Sequence, residues 1–294
     1  MPTISIHEPE VGDTRHIYRG WDRNPESKGL KLIPELLKIE PVETEKRITA
    51  FIRDYVRTQG VPGVVLGISG GIDSAVSAAI SVKAIGPSRV LGLSMPEVET
   101  WDAEDIKDAE LVAKTFGITL ERIDISPLVR AAFDRIPVFD SGDRLANGNV
   151  KARMRMVVLY YYANRTRHLV VGSSDKSEFM LGYFTKWGDY CADLSPLADL
   201  YKSQVRQLAL HLGVPTKIVE KRPTPNLWPG QTAEEELGLN YDQLDLVLFG
   251  LEHSMAAEEI VRELQLSADV VKRVEMRCRA SEHKRKPPVT VKLG

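Results

Sequence analysis

Short β-branched runs alternate along the chain with longer stretches in which apolar residues return every three or four positions. These are the two periods of buried strands and amphipathic helices. The strand signals are Val64 to Ile68, Val90 to Ser94, Thr119 to Ile123 and His168 to Val171, and between and before them helices are predicted over Glu43 to Thr58, Asp73 to Ala84, Asp102 to Phe116 and Asn149 to Arg165. In the third helix Ala103, Ile106, Ala109, Val112, Ala113 and Phe116 form one stripe, and Gly117 ends it. Strand and helix in alternation predict an α/β protein whose parallel sheet is flanked by helices on both faces. Lys202 to Leu212, Tyr241 to Leu248, Ala256 to Leu264 and Ala268 to Ser281 carry the helical period alone, so helical additions precede and follow the sheet. The Gly- and Asn-rich run from Asp140 to Asn149 reads as a loop. Residues 1–30 read as a polar N-terminal extension, and 31–294 as a single domain.

Charge and composition narrow the chemistry. Thirty-nine Lys and Arg against 41 Asp and Glu give a net charge of −2, no field for gathering a polynucleotide, so no nucleic-acid partner is expected. The first 30 residues contain no apolar core of signal-peptide length, and no run approaches a membrane span; the expected location is cytoplasmic, with no membrane partner. Two cysteines, Cys191 and Cys278, are too few and too far apart for a zinc site or a disulfide framework and read as packing residues.

The stretch that carries chemistry is Val64-Val65-Leu66-Gly67-Ile68-Ser69-Gly70-Gly71-Ile72-Asp73-Ser74, an apolar strand running into a Ser/Gly loop and then a helix. Two adjacent glycines let the backbone approach an oxyanion, the hydroxyls add donors, and the helix start points unpaired N–H groups at the anion. A phosphate chain is the implied ligand. No Lys follows the glycines, which excludes the nucleoside-triphosphatase P-loop, and the spacing is not that of the dinucleotide GxGxxG turn.

From these residues onward the chain resembles the ammonia-dependent NAD synthetases, members of the ATP pyrophosphatases with an SGGxDS loop. The resemblance continues in order through Asn149 to Met156, Gly172 to Glu178, the GYFTKWGD run from Gly182 to Asp189, Ala192 to Leu197, Lys221 to Pro225, Glu236 to Gly238 and Glu282 to Arg285. It covers roughly residues 40 to 290. The fold it implies is Rossmann-like, of the adenine nucleotide alpha hydrolase type. The reaction it implies is ATP-dependent amidation of deamido-NAD to NAD: the substrate carboxylate attacks the α-phosphorus of ATP, pyrophosphate leaves, and ammonia displaces AMP from the acyl adenylate. The enzyme is then a C–N bond-forming ligase with ATP as co-substrate and Mg²⁺ as cofactor.

Matched position by position, the resemblance places Gly67, Ile68, Ser69, Gly70, Gly71, Ile72, Asp73 and Ser74 around the ATP phosphates. Ser173, Lys202 and Thr224 are further ATP contacts, Ser173 standing where relatives commonly carry Thr. Asp73 and Glu178 are the implied Mg²⁺ ligands, two carboxylates suiting a small hard ion; helix capping is the alternative for Asp73. Arg153, Lys186, Asp193, His283 and Lys284 match deamido-NAD-binding positions. Asp73, Glu178, Lys186 and Asp193 form the expected catalytic set, Asp193 as the carboxylate that attracts ammonium and takes its proton. Positive residues at a helix end interact favourably with its dipole, which is the other reading of His283 to Lys286.

The family is dimeric with the deamido-NAD site at the subunit contact, and the run from Met154 to Tyr162 is apolar on more than one face, so a homodimer is expected. The chain has no amidohydrolase part with a nucleophilic Cys, so free ammonia is the expected nitrogen donor unless a separate glutaminase subunit delivers it. Two alternatives stand beside this reading: an ATP pyrophosphatase that amidates or thiolates another acceptor, and a nonenzymatic adenine-nucleotide sensor.

Overall fold

The computed structural model describes residues 29–100, 103–224, 227–228, 230–231 and 233–291. Most of the N-terminal extension therefore lies outside the described residues, as does Asp102 at the start of the third predicted helix. Four parallel strands form the sheet: β1 (Val64–Gly67), β2 (Val90–Ser94), β3 (Thr119–Arg122) and β4 (Leu169–Val171), in the order β3-β2-β1-β4. Val64 aligns with Val90 on one side and with Leu169 on the other, which makes β1 an inner strand. Its neighbours in sequence and in space diverge there, and in open parallel sheets a ligand crevice opens beyond the strand ends at that switch point.

β1 is apolar at consecutive positions because both its faces are covered. Val64 and Leu66 pack with Ile52 and Val56 of α1 (Pro41–Thr58), Ala75, Val76 and Ala79 of α2 (Ile72–Ile85), Ala109 and Val112 of α3 (Ala103–Phe116), and Val205 and Leu208 of the helix Lys202–Leu212 that follows the sheet. Val65 faces the other way. It joins Leu93, Met95, Val170, Val129 of α4 (Ser126–Phe133), and Val158 and Ala163 of α5 (Arg144–Thr166).

α5 starts at Arg144, inside the run expected to be a loop, and the correction has a local cause: Asp143 caps the helix by accepting from Ala146 N at 2.9 Å. Gly148 sits in this helix because space is short, since a Cβ there would lie 2.9 Å from Leu227 Cβ. After β4 come α6 (Lys176–Leu181), α7 (Lys202–Leu212), α8 (Thr216–Val219), α9 (Ala233–Leu237), α10 (Tyr241–Glu252), α11 (Ala257–Leu264) and α12 (Ala268–Ala280). α10 to α12 close a second core with Leu181 and Tyr201, the helical addition expected after the sheet. Among the described residues no helix is long and apolar enough to cross a membrane.

Candidate active site

A cavity of about 360 Å³ opens beyond the C-terminal ends of β1, β2 and β4. Gly67, Ile68, Ser69, Gly71, Ile72, Asp73 and Ser74 line its floor, and Ser173, Glu178, Thr224 and Lys284 stand in its walls. The loop is knit before any ligand arrives. Ser74 Oγ accepts from Ser69 N at 3.2 Å and donates to Gly71 O at 3.0 Å, while Ser69 Oγ accepts from Gly71 N at 3.3 Å. α2 has Gly71 at its N-cap and no side-chain cap, so donors of its first turn are left for an incoming anion. Gly70 is not in the cavity wall. Its φ is +80°, and a Cβ there would lie 2.4 Å from Asp105 O, so it turns the loop against α3.

Below the loop is a buried charge cluster. Lys202, the first residue of α7 and fully buried, puts Nζ 2.7 Å from Asp73 Oδ2, 2.7 Å from Asp175 Oδ2 and 3.1 Å from Glu178 Oε1. Three carboxylates therefore share one ammonium. Burial alone would lower the Lys202 pKa, but Asp175, Asp73 and Glu178 outweigh it and hold it well above its ordinary value. Burial raises Glu178 well above the usual carboxylate range and Asp175 to about 6, with Lys202 pulling both back. Asp73 Oδ1 is buried without a hydrogen-bond partner.

Asp175 is the residue the sequence reading passed over. Its place after β4 reads as a helix cap, and it is one, accepting from Glu178 N at 2.8 Å. The signal was the run Asp175-Lys176-Ser177-Glu178, a capping acid three residues ahead of a second acid, which brings the two carboxylates to the same end of the helix. Ser177 ties the cluster to α10: its hydroxyl donates to Asp245 Oδ1 at 2.6 Å and accepts from Lys202 N at 3.0 Å.

The residues matched to the second substrate separate into three places. Lys284 lines the cavity, with Nζ on Gly182 O and Phe184 O at 2.8 and 2.7 Å. Arg153, Lys186 and His283 lie on the outer rim, where Arg153 donates to Lys186 O at 3.2 Å and Lys186 Nζ to His283 O at 2.7 Å. Asp193 stands behind the wall as a staple on β4, Oδ2 accepting from Val170 N at 2.7 Å and Oδ1 from the Tyr160 hydroxyl at 3.3 Å. The carboxylate of the GYFTKWGD run that lines the cavity is Asp189, whose Oδ1 accepts from Thr185 N at 2.7 Å and whose pKa is raised by desolvation.

Comparison with known proteins gives one consistent result. The family model for NAD synthase matches residues 44–288. An NH3-dependent NAD+ synthetase of Hyperthermus butylicus is 45% identical over 255 residues, covering 86% of this chain and 92% of that protein. Among solved structures, an NMN synthetase from Francisella tularensis superposes with a TM-score of 0.77 at 34% identity, over 86% of this chain and 99% of the other. An NH3-dependent NAD synthetase from Campylobacter jejuni superposes at 0.73 and 27% identity, over 87% and 100%.

Proposed function

The chain belongs to the NAD synthase family, and on that premise we propose how its cavity carries out the family's reaction. That reaction is ATP-dependent amidation of deamido-NAD to NAD with ammonia, through an acyl adenylate, and the enzyme is a C–N ligase with ATP as co-substrate. The observation that carries the assignment of roles is the juxtaposition of an uncapped, preformed SGGIDS loop with Asp73, Glu178 and Lys202 beneath it.

The loop binds the triphosphate, with Ser69, Gly71, Ile72 and Ser74 presenting backbone and hydroxyl donors where charge grows on the departing pyrophosphate. Gly67, Ile68, Ser173 and Thr224 complete the ATP wall, and Gly70 sets the loop's turn. Asp73 and Glu178 hold Mg²⁺, and the donor set fits it: hard oxygens, one of them buried and unpartnered, and two formal negative charges left over after Lys202 is counted. When bound, Mg²⁺ neutralises phosphate charge. Asp175 orients Lys202 and keeps the cluster acidic.

Lys284 meets the carboxylate-bearing substrate inside the cavity, and Arg153, Lys186 and His283 receive its outer part on the rim. A second copy of the chain completes that rim. The outward stripe of α5, with Val157 51% and Tyr161 69% exposed, and neighbouring Trp187 at 52% supply the apolar surface of a homodimer contact. For the proton ammonium gives up there are two acceptors, Asp189 in the wall and Asp193 behind it. An Asp193→Asn enzyme with a normal adenylation step and an unchanged amidation rate would remove Asp193 from that role.

The deciding assay incubates the protein with ATP, Mg²⁺, ammonium and deamido-NAD. NAD, AMP and pyrophosphate in equal yield are expected; ADP would indicate another phosphoryl chemistry. The likeness to the Francisella NMN synthetase favours a second acceptor, nicotinate mononucleotide, and competition between the two acids in the same assay ranks them.

A further inference from the structure

The SGGIDS loop has no lysine of its own, yet pyrophosphate leaves it as a multiply charged anion. One cation is held ready beside it. Lys221, in the segment after α8, lines the same cavity as Thr224, Ser69 and Gly71. Its Nζ lies 2.5 Å from Asp105 Oδ1 and 2.6 Å from Asp108 Oδ2. The same two residues back the loop: a Cβ on Gly70 would lie 2.4 Å from Asp105 O and 3.0 Å from Asp108 Cβ. The residues that hold the ammonium are thus the ones packed against the loop's corner.

We propose that Lys221 is a catalytic residue of the adenylation step, parked on Asp105 and Asp108 in the free enzyme and transferred to the leaving pyrophosphate. In that step a substrate carboxylate oxygen bonds to the α-phosphorus, the bond from α-phosphorus to the bridging oxygen breaks, and its electron pair leaves with pyrophosphate, where the Lys221 ammonium meets it. The parking arrangement allows the transfer. Asp108 is buried and carries a second cation, Lys217 Nζ at 2.7 Å from Oδ1, so departure of Lys221 leaves no buried carboxylate uncompensated. Asp105 borders the cavity, where water can solvate it. Lys202, the lysine expected to contact ATP, is fully buried and already shared by three carboxylates, which leaves Lys221 as the cation held on the loop's backing helix.

The inference rests on the functional reading above, and its test separates the two. Full-length wild type, Lys221→Gln and Lys221→Arg are given ATP, Mg²⁺ and deamido-NAD without ammonium, and pyrophosphate release is followed in a single turnover. Lys221→Gln is expected to slow release about 100-fold and to weaken inhibition by added pyrophosphate about tenfold. KM for deamido-NAD stays unchanged, and Lys221→Arg recovers most of both losses. A folded Lys221→Gln protein with wild-type release and wild-type pyrophosphate inhibition overturns the proposal. So does a slow variant whose pyrophosphate inhibition is unchanged and whose melting temperature has dropped, which would make Lys221 a strut. If wild type forms no adenylate, the functional reading fails, and direct titration of wild type and Lys221→Gln with magnesium pyrophosphate still decides whether Lys221 meets that anion.

Discussion

Lys202 has two jobs that substitution can pull apart. It neutralises a buried acidic cluster and it bounds the site assigned to Mg²⁺, so Lys202→Met should cost about 3–5 kcal/mol by leaving buried carboxylates without a counter-charge. Because the ammonium and a divalent ion draw on the same oxygens, added Mg²⁺ should raise the melting temperature of Lys202→Met by more than it raises that of wild type. Equal shifts in a thermal melt with and without chelator would mean that the two cations do not compete. Asp73 and Glu178 were legible in the sequence, one from its loop and both from a family resemblance. Lys202 was legible only as a name in that resemblance: nothing about a lysine at a helix start announces that it is fully buried. Asp175 was hidden by doing an ordinary thing well, since a helix cap needs no further explanation.

The strands and the long helices were readable because their periods reflect which faces are covered, and β2 and α7 match their expected bounds. α5 was misjudged at its start because Gly and Asn are read as loop formers, whereas Gly148 is there for the close approach of Leu227. The short helices α6, α8 and α9 span less than two turns each and carry too few apolar repeats to be seen. The loop between β1 and α2 depends on Gly70. Gly70→Ala adds strain at φ +80° and a clash with the α3 backbone, and the displaced donors should lower the adenylation rate about 100-fold with substrate binding on the rim intact. A rate within a few-fold of wild type would show that the corner tolerates a side chain. α3 also sets an acid limit. Burial raises the Asp108 pKa, but hydrogen bonds and charge from Lys217 and Lys221 more than offset that and leave it below its ordinary 3.8. A lowered carboxylate contributes stability above its unfolded pKa and loses it as pH falls through the folded value. Asp108→Asn should therefore be less stable than wild type at neutral pH, and urea melts should show the gap closing as the pH falls below the ordinary 3.8.

Three of the residues matched to deamido-NAD lie outside the cavity, on the rim beside the exposed stripe of α5. If a second subunit covers that surface, charge there should break both assembly and turnover. Val157→Glu with Tyr161→Glu should convert a dimer into a folded monomer in sedimentation and abolish NAD formation; a monomeric, fully active wild type would instead place the whole site within one chain. The cluster under the loop has a different kind of reach: Asp73 follows β1, Asp175 and Glu178 follow β4, and Lys202 opens α7, a span of 129 residues between first and last. A chain emerging from the ribosome presents its acids long before the base that quiets them. Until α7 docks, that pocket holds three carboxylates with no shared counter-charge, and this opposes its closing.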